Sequence, residues 1–368
     1  MASRKVVVRG LNTGLAQQSG TAILMLHNGQ PRTPFYARQH LNKLWTNYGF
    51  PGFSKKYLTD AYWYGSNSLR KCVSDCENHK SIEETVNEYI SGIQRSLTSL
   101  TPEFKPVICR AGYLFDSPSI ESRVDEIIRE GTDTLILVSL YPFNLAHLTK
   151  PMLTAANSII EKKTTTLDVF EADPNLRIAL NSPVSFKLMT LDNLGTHETI
   201  IQYWAERLKR HLDDFDSVVF AVSLPTSNRK TYMVTIAETT KRIMYVLYES
   251  YPRAVPWRVG FYAPWHQFWP PISTYSVPNR IKDLRKNGRT RTLVVPLGEF
   301  FPNFDTQTVL PAAIEDVENT ELLAPESLDQ ALVHSFAEAI KTSFLQRVAQ
   351  EQKIPKVKTE ATVTEALL

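Results

Sequence analysis

Residues 131–142 have the sequence GTDTLILVSLYP, and this stretch decides the fold. A continuous apolar run between a glycine and a Tyr-Pro turn is typical of a strand that is buried on both faces of a parallel sheet. Residues 288–297, GRTRTLVVPL, repeat the order of glycine, polar residues and apolar strand. The repetition indicates either two similar domains that arose by duplication or the common connection from a helix to a strand.

Apolar runs alternate with amphipathic stretches on both sides of these two strands. The alternation predicts parallel, right-handed, doubly wound sheets, and therefore an α/β protein made of two similar Rossmann-like domains. The predicted strands are residues 22–26, 105–109, 134–140, 217–221, 257–262 and 290–297. The predicted helices are residues 38–47, 82–97, 119–130, 150–162, 196–215, 231–251, 278–288 and 327–350.

The length of 368 residues is typical of two domains rather than one. We place a basic N-terminal tail at residues 1–20 and the first domain at residues 21–165. The second domain follows at residues 166–345, and we expect its closing helix to pack back on the first. Residues 346–368 are polar, lack aromatic side chains and are predicted to form a C-terminal tail.

The composition excludes several classes of protein. The formal net charge of +3 is small and evenly spread, which argues against a nucleic-acid partner. Three cysteines make no disulfide framework and favour a reducing compartment. Cys72, Cys76 and His79 are spaced either as metal ligands or as neighbours on one helix face. The N-terminus is basic with no acidic residue before Asp60, as in a mitochondrial presequence or any short basic tail.

Polar side chains at the carboxyl ends of the predicted strands are the candidate functional residues, because open parallel sheets bind ligands there. The glycine-rich loops of nucleotide-binding proteins and the Gly-x-Ser-x-Gly turn of hydrolases are missing from the sequence. His27 is either functional or a hydrogen-bonded structural histidine. Nearby aromatic side chains either pack in the core or line a flat apolar slot. The candidates are His27, Asn28, Tyr113, Tyr141, Asn144, His147, Val222, Ser223 and residues 262–269 and 299–305.

These strand ends resemble those of ferrochelatases, enzymes of the class II chelatase fold that insert ferrous iron into protoporphyrin to make haem. Residues 21–31, TAILMLHNGQP, resemble the family's first strand with its Gly-Gly-Pro turn, and residues 131–142 resemble its strand ending in Tyr-Pro. Similar motifs follow in the family's order at residues 191–197, 257–271 and 290–305. The resemblance implies a divergent ferrochelatase-like member, with a central porphyrin cleft that the two Rossmann-like domains face.

The resemblance also assigns site residues, and several of them differ from the family pattern. The family strand ending Phe-Ser-Ala-His-Ser-Leu-Pro matches residues 219–225, VFAVSLP, so Val222 stands at the catalytic histidine. Asp305 stands at the catalytic glutamate, and Asn303 and Val309 replace the neighbouring histidine and second glutamate. The implied porphyrin-binding residues are His27, Asn28, Tyr113, Tyr141, Ser223, His266 and Trp269.

Three functional hypotheses follow from these differences. The first is a pseudoenzyme that has lost ferrochelatase activity with the histidine and still binds haem or a porphyrin. The second is an active ferrochelatase in which Asp305 works with a displaced histidine, either His27 or His266. The third is an interaction or regulatory module that binds no tetrapyrrole.

The resemblance further implies cofactor, partners and location. The C-terminal cysteines that hold a [2Fe–2S] cluster in animal members are absent from the sequence, so no resident cofactor and no metal site are assigned. The implied partners are a tetrapyrrole, a membrane surface in peripheral contact, and either a second copy of the chain or an active relative. The implied location is the matrix side of the mitochondrial inner membrane, with the cytoplasm as the alternative.

Overall fold

A computed structural model gives the fold of the chain. It describes residues 20–29, 34–50, 52–65, 82–100, 107–132, 134–169, 187–225, 229–263 and 275–353. The predicted site residues His266 and Trp269, and the Cys72, Cys76 and His79 group, lie outside the described residues.

The first half of the chain forms a four-stranded parallel sheet in the order β2-β1-β3-β4. Its two central strands are almost entirely buried, as their unbroken apolar runs predict. The strands are β1 (Thr21–His27), β2 (Val107–Tyr113), β3 (Thr134–Ser139) and β4 (Lys187–Leu191). The helices are α1 (Pro34–Asn47), α2 (Gly52–Gly65), α3 (Ile82–Leu100), α4 (Ile120–Arg129) and α5 (Thr149–Val169).

The second half forms another four-stranded parallel sheet, and its order, β6-β5-β7-β8, is that of the first. The prediction of an α/β protein with two similar sheets is confirmed. The strands are β5 (Ser217–Ser223), β6 (Trp257–Tyr262), β7 (Thr292–Val295) and β8 (Thr320–Leu322). The helices are α6 (Glu198–Lys209), α7 (Arg229–Ser250), α8 (Val277–Lys286), α9 (Leu310–Ile314) and α10 (Gln330–Lys353).

The two halves also share local details. Each second strand carries a glycine against the following helix: a Cβ on Gly112 would lie 3.1 Å from the Ile120 Cα, and one on Gly260 would lie 2.9 Å from the Val277 Cα. Serine side chains cap both helices, α4 and α8, at their N-termini. Both helices are followed by a glycine of positive φ, Gly131 at 72° and Gly288 at 80°. The repeat in the sequence is therefore a repeat in space.

The expected domain boundary between residues 165 and 166 does not coincide with the division between the sheets. Helix α5 continues to Val169, and β4 at Lys187–Leu191 pairs with β3, so this segment belongs to the first sheet. Strand β4 lies at a sheet edge and is largely exposed, so it lacks the apolar run by which a buried strand is recognised. The closing helix α10 continues to Lys353, past the expected start of the tail at residue 346.

Helix α10 joins the two halves, because it packs on α3 of the first and on α6 of the second. At its start, the Tyr89 hydroxyl accepts a hydrogen bond from the Asp329 backbone N–H at 2.7 Å and donates to the Glu326 carbonyl oxygen at 3.2 Å. The largest apolar cluster contains residues of both sheets. A second cluster places Trp45 of α1 with Val219 of β5. The carboxyl ends of the two sheets are held together by these contacts.

Candidate functional site

The carboxyl ends of β1 and β3 bring an imidazole and a phenol together. The ring of His27 stacks on that of Tyr141 with centroids 5.0 Å apart and planes inclined by 11°. The ring of Tyr113, at the end of β2, meets His27 edge-on at 6.4 Å. The backbone of Asn28 hydrogen-bonds the Tyr141 hydroxyl. All four residues are buried. They were predicted from their position at the carboxyl ends of parallel strands, and in the structure they lie together at that edge of the sheet.

The His27 imidazole is neutral. Its Nδ1 accepts a hydrogen bond from the Gly29 N–H at 3.0 Å, so the neutral ring carries its hydrogen on Nε2. Gly29 makes this turn possible, because its φ is 85° and a Cβ there would lie 2.6 Å from the Asp116 Cβ. Burial lowers the pKa of His27 to about 4, because the protein solvates the charged ring poorly.

Two further buried histidines belong to the first half. His40 on α1 contacts the ring of Phe115 edge-on at 5.6 Å and that of Phe304, from the second half, at 6.4 Å. His147 stacks on Tyr48 at 4.1 Å. The pKa of each imidazole is lowered to about 3, mainly by burial, and for His40 the nearby His27 and Lys43 also contribute to the shift. Both rings are therefore uncharged at neutral pH.

The second half contributes a buried carboxyl group at the end of β7. Glu299 is 1% exposed, and its Oε1 accepts a hydrogen bond from the Tyr262 hydroxyl at 2.9 Å. Its Oε2 accepts a second hydrogen bond from the Asn303 side-chain amide. Burial, together with the charge of Asp305, raises the pKa of Glu299 well above its usual range despite these two donors.

Asp305 begins a single turn of π-helix, Asp305–Val309, which leads into α9. Asn303 fixes the start of this turn: its Oδ1 accepts from the Thr306 N–H at 3.0 Å, and its own N–H donates to the Thr306 Oγ1 at 2.9 Å. Asp305 keeps some surface exposure, but the surrounding protein raises the pKa of its carboxyl to about 7. Within the described part of the chain, no lysine or arginine pairs with Asp305 or Glu299.

Charged groups of the second half change the pKa of a group in the first half. The charges of Glu299 and Asp305 raise the pKa of Tyr141, after burial, which is the larger cause. They act in the same way on Tyr262. We name His27, Tyr141, Tyr262, Glu299 and Asp305 the interface cluster. It combines a neutral imidazole, two phenols and two carboxyl groups, one of which has a pKa of about 7, so the cluster can accept and return a proton near neutral pH.

Val222, at the end of β5, is completely buried, and its side chain belongs to the same apolar cluster as Phe300 and Phe301. A Cβ on Gly298 would lie 3.3 Å from the Val222 Cα and 3.3 Å from the Tyr262 hydroxyl. The glycine therefore lets the loop that carries Glu299 approach the end of β5 closely. The Glu299 carboxyl group therefore lies close to the end of β5.

Three buried polar atoms near the strand ends have no hydrogen-bond partner among the described residues. They are the Asn28 Oδ1, the Ser223 Oγ and the Tyr232 hydroxyl, and each residue is at most 5% exposed. Buried polar atoms without a hydrogen-bond partner are uncommon in folded proteins. A bound ligand or an ordered water molecule would supply the missing partner.

The structure therefore places His27, Asn28, Tyr141 and Asp305 around one site, with Tyr113 and Val222–Ser223 at its border. Sequence reasoning missed His40, Tyr48 and Tyr232, which lie on α1, in the turn after it and on α7. No motif marks these positions, since amphipathic helices carry aromatic side chains on their core faces for packing alone. Among the described residues, no three His, Cys, Asp or Glu side chains are grouped as metal ligands, and no helix is long and apolar enough to cross a membrane.

Known proteins similar to this chain are ferrochelatases. No protein-family profile matches the sequence. Mitochondrial ferrochelatase of Gallus gallus is 25% identical over 248 residues, covering 64% of this chain and 54% of the relative. The Bos taurus enzyme is 26% identical over 252 residues, covering 64% and 52%, and that of Xenopus laevis is 25% identical over 325 residues, covering 83% and 71%. The chain spans about half the length of the first two of these relatives.

Similar solved structures include SirB from Bacillus subtilis with Fe3+, which is 12% identical with a TM-score of 0.48 and covers 90% of this chain and 98% of its own. CbiX, the terminal enzyme for the biosynthesis of sirohaem in denitrifying bacteria, is 13% identical with a TM-score of 0.41 and covers 88% and 99%.

The fold and site define an α/β protein of two similar parallel sheets, with titratable groups buried where the carboxyl ends of the sheets meet. Within this class, the chain is a divergent ferrochelatase-like protein.

Proposed function

We propose that this protein binds a tetrapyrrole, haem or a porphyrin, and does not insert ferrous iron at an enzyme's rate. The observation that carries the proposal is Val222, which is 0% exposed, packed among apolar side chains and placed by the resemblance at the family's catalytic histidine. Tetrapyrrole binding is supported by the similarity to ferrochelatases and by the Asn28 Oδ1 and Ser223 Oγ at the strand ends, which have no hydrogen-bond partner among the described residues.

The chemistry explains why one side chain matters. Insertion of a divalent metal into a porphyrin requires the removal of two pyrrole N–H protons. Valine has no lone pair with which to accept either of them, and loss of a general base typically lowers a rate by about 10²–10⁴-fold. Asn303 and Val309, which replace two further ionisable groups of the family, cannot accept a proton at neutral pH either.

The second candidate function is an active chelatase with a displaced base. It is favoured by one observation, the pKa of about 7 at Asp305, which suits a general base at neutral pH. In this candidate a displaced histidine, His27 or His266, takes the second proton.

Anaerobic insertion of ferrous iron, or of zinc, into protoporphyrin separates the two candidates. We expect the wild type to insert metal no faster than the protein-free control. Val222→His is expected to raise the rate, whereas Val222→Gln, a control with a polar side chain but no base, leaves it unchanged. A wild-type rate well above the control that falls in Asp305→Asn contradicts the proposal and establishes the second candidate.

Binding is measured separately, by the change in the Soret band when protoporphyrin or haem is titrated with the full-length protein. We expect a saturable change at micromolar concentrations. A spectrum that never departs from that of the free tetrapyrrole overturns the binding part and leaves the interaction module as the remaining hypothesis.

We further propose a mitochondrial location, supported by the similarity to mitochondrial ferrochelatases of three vertebrates. Imaging of the tagged chain tests it, and cytoplasmic signal overturns it. Attachment to the matrix side of the inner membrane, a homodimer and pairing with an active relative stay predictions.

A further inference from the structure

A groove lies between helices α3 and α10, next to the Tyr89 hydrogen bonds along α3. Its volume is about 370 Å³, which is near the lower end of small-molecule sites. One wall is the face of α3 that carries Arg95, Ser96 and Ser99, and the other is the first turn of α10 with Gln330 and His334. The groove is thus formed by one helix from each half of the chain.

The walls of the groove are fixed by buried contacts. Gly92 allows α3 and α10 to approach closely, because a Cβ there would lie 3.0 Å from a methyl carbon of Val333. Asp329 starts α10 by accepting hydrogen bonds from the Ala331 and Leu332 N–H groups at 2.9 and 3.2 Å. The groove therefore exists before any ligand arrives, and binding does not have to order its walls.

The polar groups of the groove are mainly hydrogen-bond donors. Arg95 makes no ion pair within the described part of the chain. Its Nε donates to the Ser91 carbonyl oxygen at 3.3 Å, which leaves the two terminal nitrogens of the guanidinium group for a ligand. The Ser96 hydroxyl, the Gln330 amide and the His334 ring add further donors, and none of the described lining residues carries a carboxylate.

We propose that this groove binds a small organic anion with two or more negatively charged oxygens, either a phosphate ester or a polycarboxylate. Arg95 is the principal contact, because a guanidinium group donates two parallel hydrogen bonds to a phosphate or carboxylate group. Ser96, Gln330 and His334 bind the remaining oxygens. The site is separate from the interface cluster and does not depend on the proposed tetrapyrrole.

Calorimetric titration of the full-length protein with inorganic phosphate and with citrate, at constant ionic strength set by chloride, tests the site. We expect one of the two anions to bind with a dissociation constant at or below about 1 mM, and which of them binds distinguishes phosphate from carboxylate chemistry. Removal of a charged hydrogen-bond donor in Arg95→Gln is expected to weaken binding about tenfold or more. His334→Gln, on the other wall, is expected to weaken it less.

Arg129→Gln is the matched control, because Arg129 is also an exposed helical arginine and pairs with Asp125 away from the groove. It is expected to bind the anion as the wild type does. The proposal is overturned if neither anion saturates the protein, or if Arg95→Gln and His334→Gln both bind as tightly as Arg129→Gln. Far-ultraviolet circular dichroism establishes that each variant is folded before it is titrated.

Discussion

The two halves of this protein have the same strand order and opposite buried chemistry. The first half buries three imidazoles, His27, His40 and His147, and burial lowers the pKa of each. The second half places two carboxyl groups with no counter-cation among the described residues, Glu299 and Asp305, at the end of β7, and exclusion of water raises the pKa of both. One cause acts in both halves, because exclusion of water always disfavours the charged form. A duplicated scaffold therefore does not fix the chemistry at its strand ends.

The difference gives the two halves opposite responses to pH. The pKa of each histidine is lower in the folded state than in the unfolded chain. As the pH falls below about 6.5, the unfolded chain therefore binds more protons than the folded protein, and the folded protein loses stability. The pKa of each carboxyl group is higher in the folded state than in the unfolded chain. The stability that these groups contribute is therefore complete below their usual pKa and is lost as the pH rises through the folded-state pKa. The two pH ranges overlap between about pH 4 and pH 6.5, so the two contributions oppose each other there.

The largest expected effect comes from loosening the start of α10 from α6. Arg207, 2% exposed, donates to the Ala324 carbonyl oxygen at 2.7 Å and lies 3.6 Å from an Asp329 carboxylate oxygen. The Tyr203 hydroxyl donates to the same carboxylate group at 2.9 Å. Arg207→Ala leaves the buried Asp329 without its cation, and such losses cost about 3–5 kcal/mol. The free energy of unfolding in urea measures the effect.

Arg242→Ala is the control for this prediction. Arg242 also forms an ion pair, with Glu198, but both side chains are about half exposed. An exposed pair contributes less than about 1 kcal/mol. Equal losses in the two variants would mean that the buried pair holds α10 on α6 no more strongly than an exposed pair does.

A smaller effect is expected at the two equivalent glycines. Gly260→Ala places a Cβ 2.9 Å from the Val277 Cα and 3.1 Å from a methyl carbon of Val219, so backbone must move. Overpacking of this kind costs about 1–3 kcal/mol. Gly112→Ala, where the nearest backbone atom is 3.1 Å away, is expected to cost less. Thermal unfolding of both variants measures the difference.

Gly52→Ala is the control for the glycine pair, because nothing lies within 4 Å of its added Cβ. It lies in the first turn of α2 and is expected to be neutral or slightly stabilising. A larger loss at Gly112 than at Gly260 would show that the second half, and not the first, adjusts more easily around its helix.

The smallest expected effect is the pH response of the carboxyl groups. Between pH 6 and pH 7 the wild type is expected to lose about 1 kcal/mol more stability than Asp305→Asn, because Asp305 gives up a proton there in the folded state. His147→Asn, a matched change in the other half, should alter the profile only below pH 6.5. Urea titrations across this range measure both, and identical profiles for the wild type and Asp305→Asn would rule out the assignment.

Much of the fold was predictable from the sequence. The predicted strand at residues 257–262 coincides with β6, and the predicted strand at residues 134–140 differs from β3 by one residue. Buried strands carry apolar runs that mark them. The edge strands β4 and β8 are short and half-exposed, with no such run, and were missed. Helix α2 was missed as well, since turn-forming glycine and proline residues stand at its start.

The candidate site was predictable only where it lies on strands. His27, Asn28 and Tyr141 lie at or just after the ends of buried strands. The carboxyl ends of parallel strands lie at the same edge of a sheet, so these residues were expected to lie together. Glu299 fell within a predicted segment, but its bonds to Tyr262 and Asn303 depend on the approach of the loop at Gly298. His40 lies on a helix whose sequence shows nothing beyond amphipathic packing.

The sequence by itself determined the buried strands of the two parallel sheets and most of their helices, the likeness to ferrochelatases and the valine at residue 222, because hydrophobic periodicity and residue identity are local properties. Only the tertiary structure decided that two carboxyl groups from one half lie near an imidazole and a phenol from the other. The physical reason is burial: proton affinity depends on which atoms exclude water from a group, and those atoms come from distant parts of the chain.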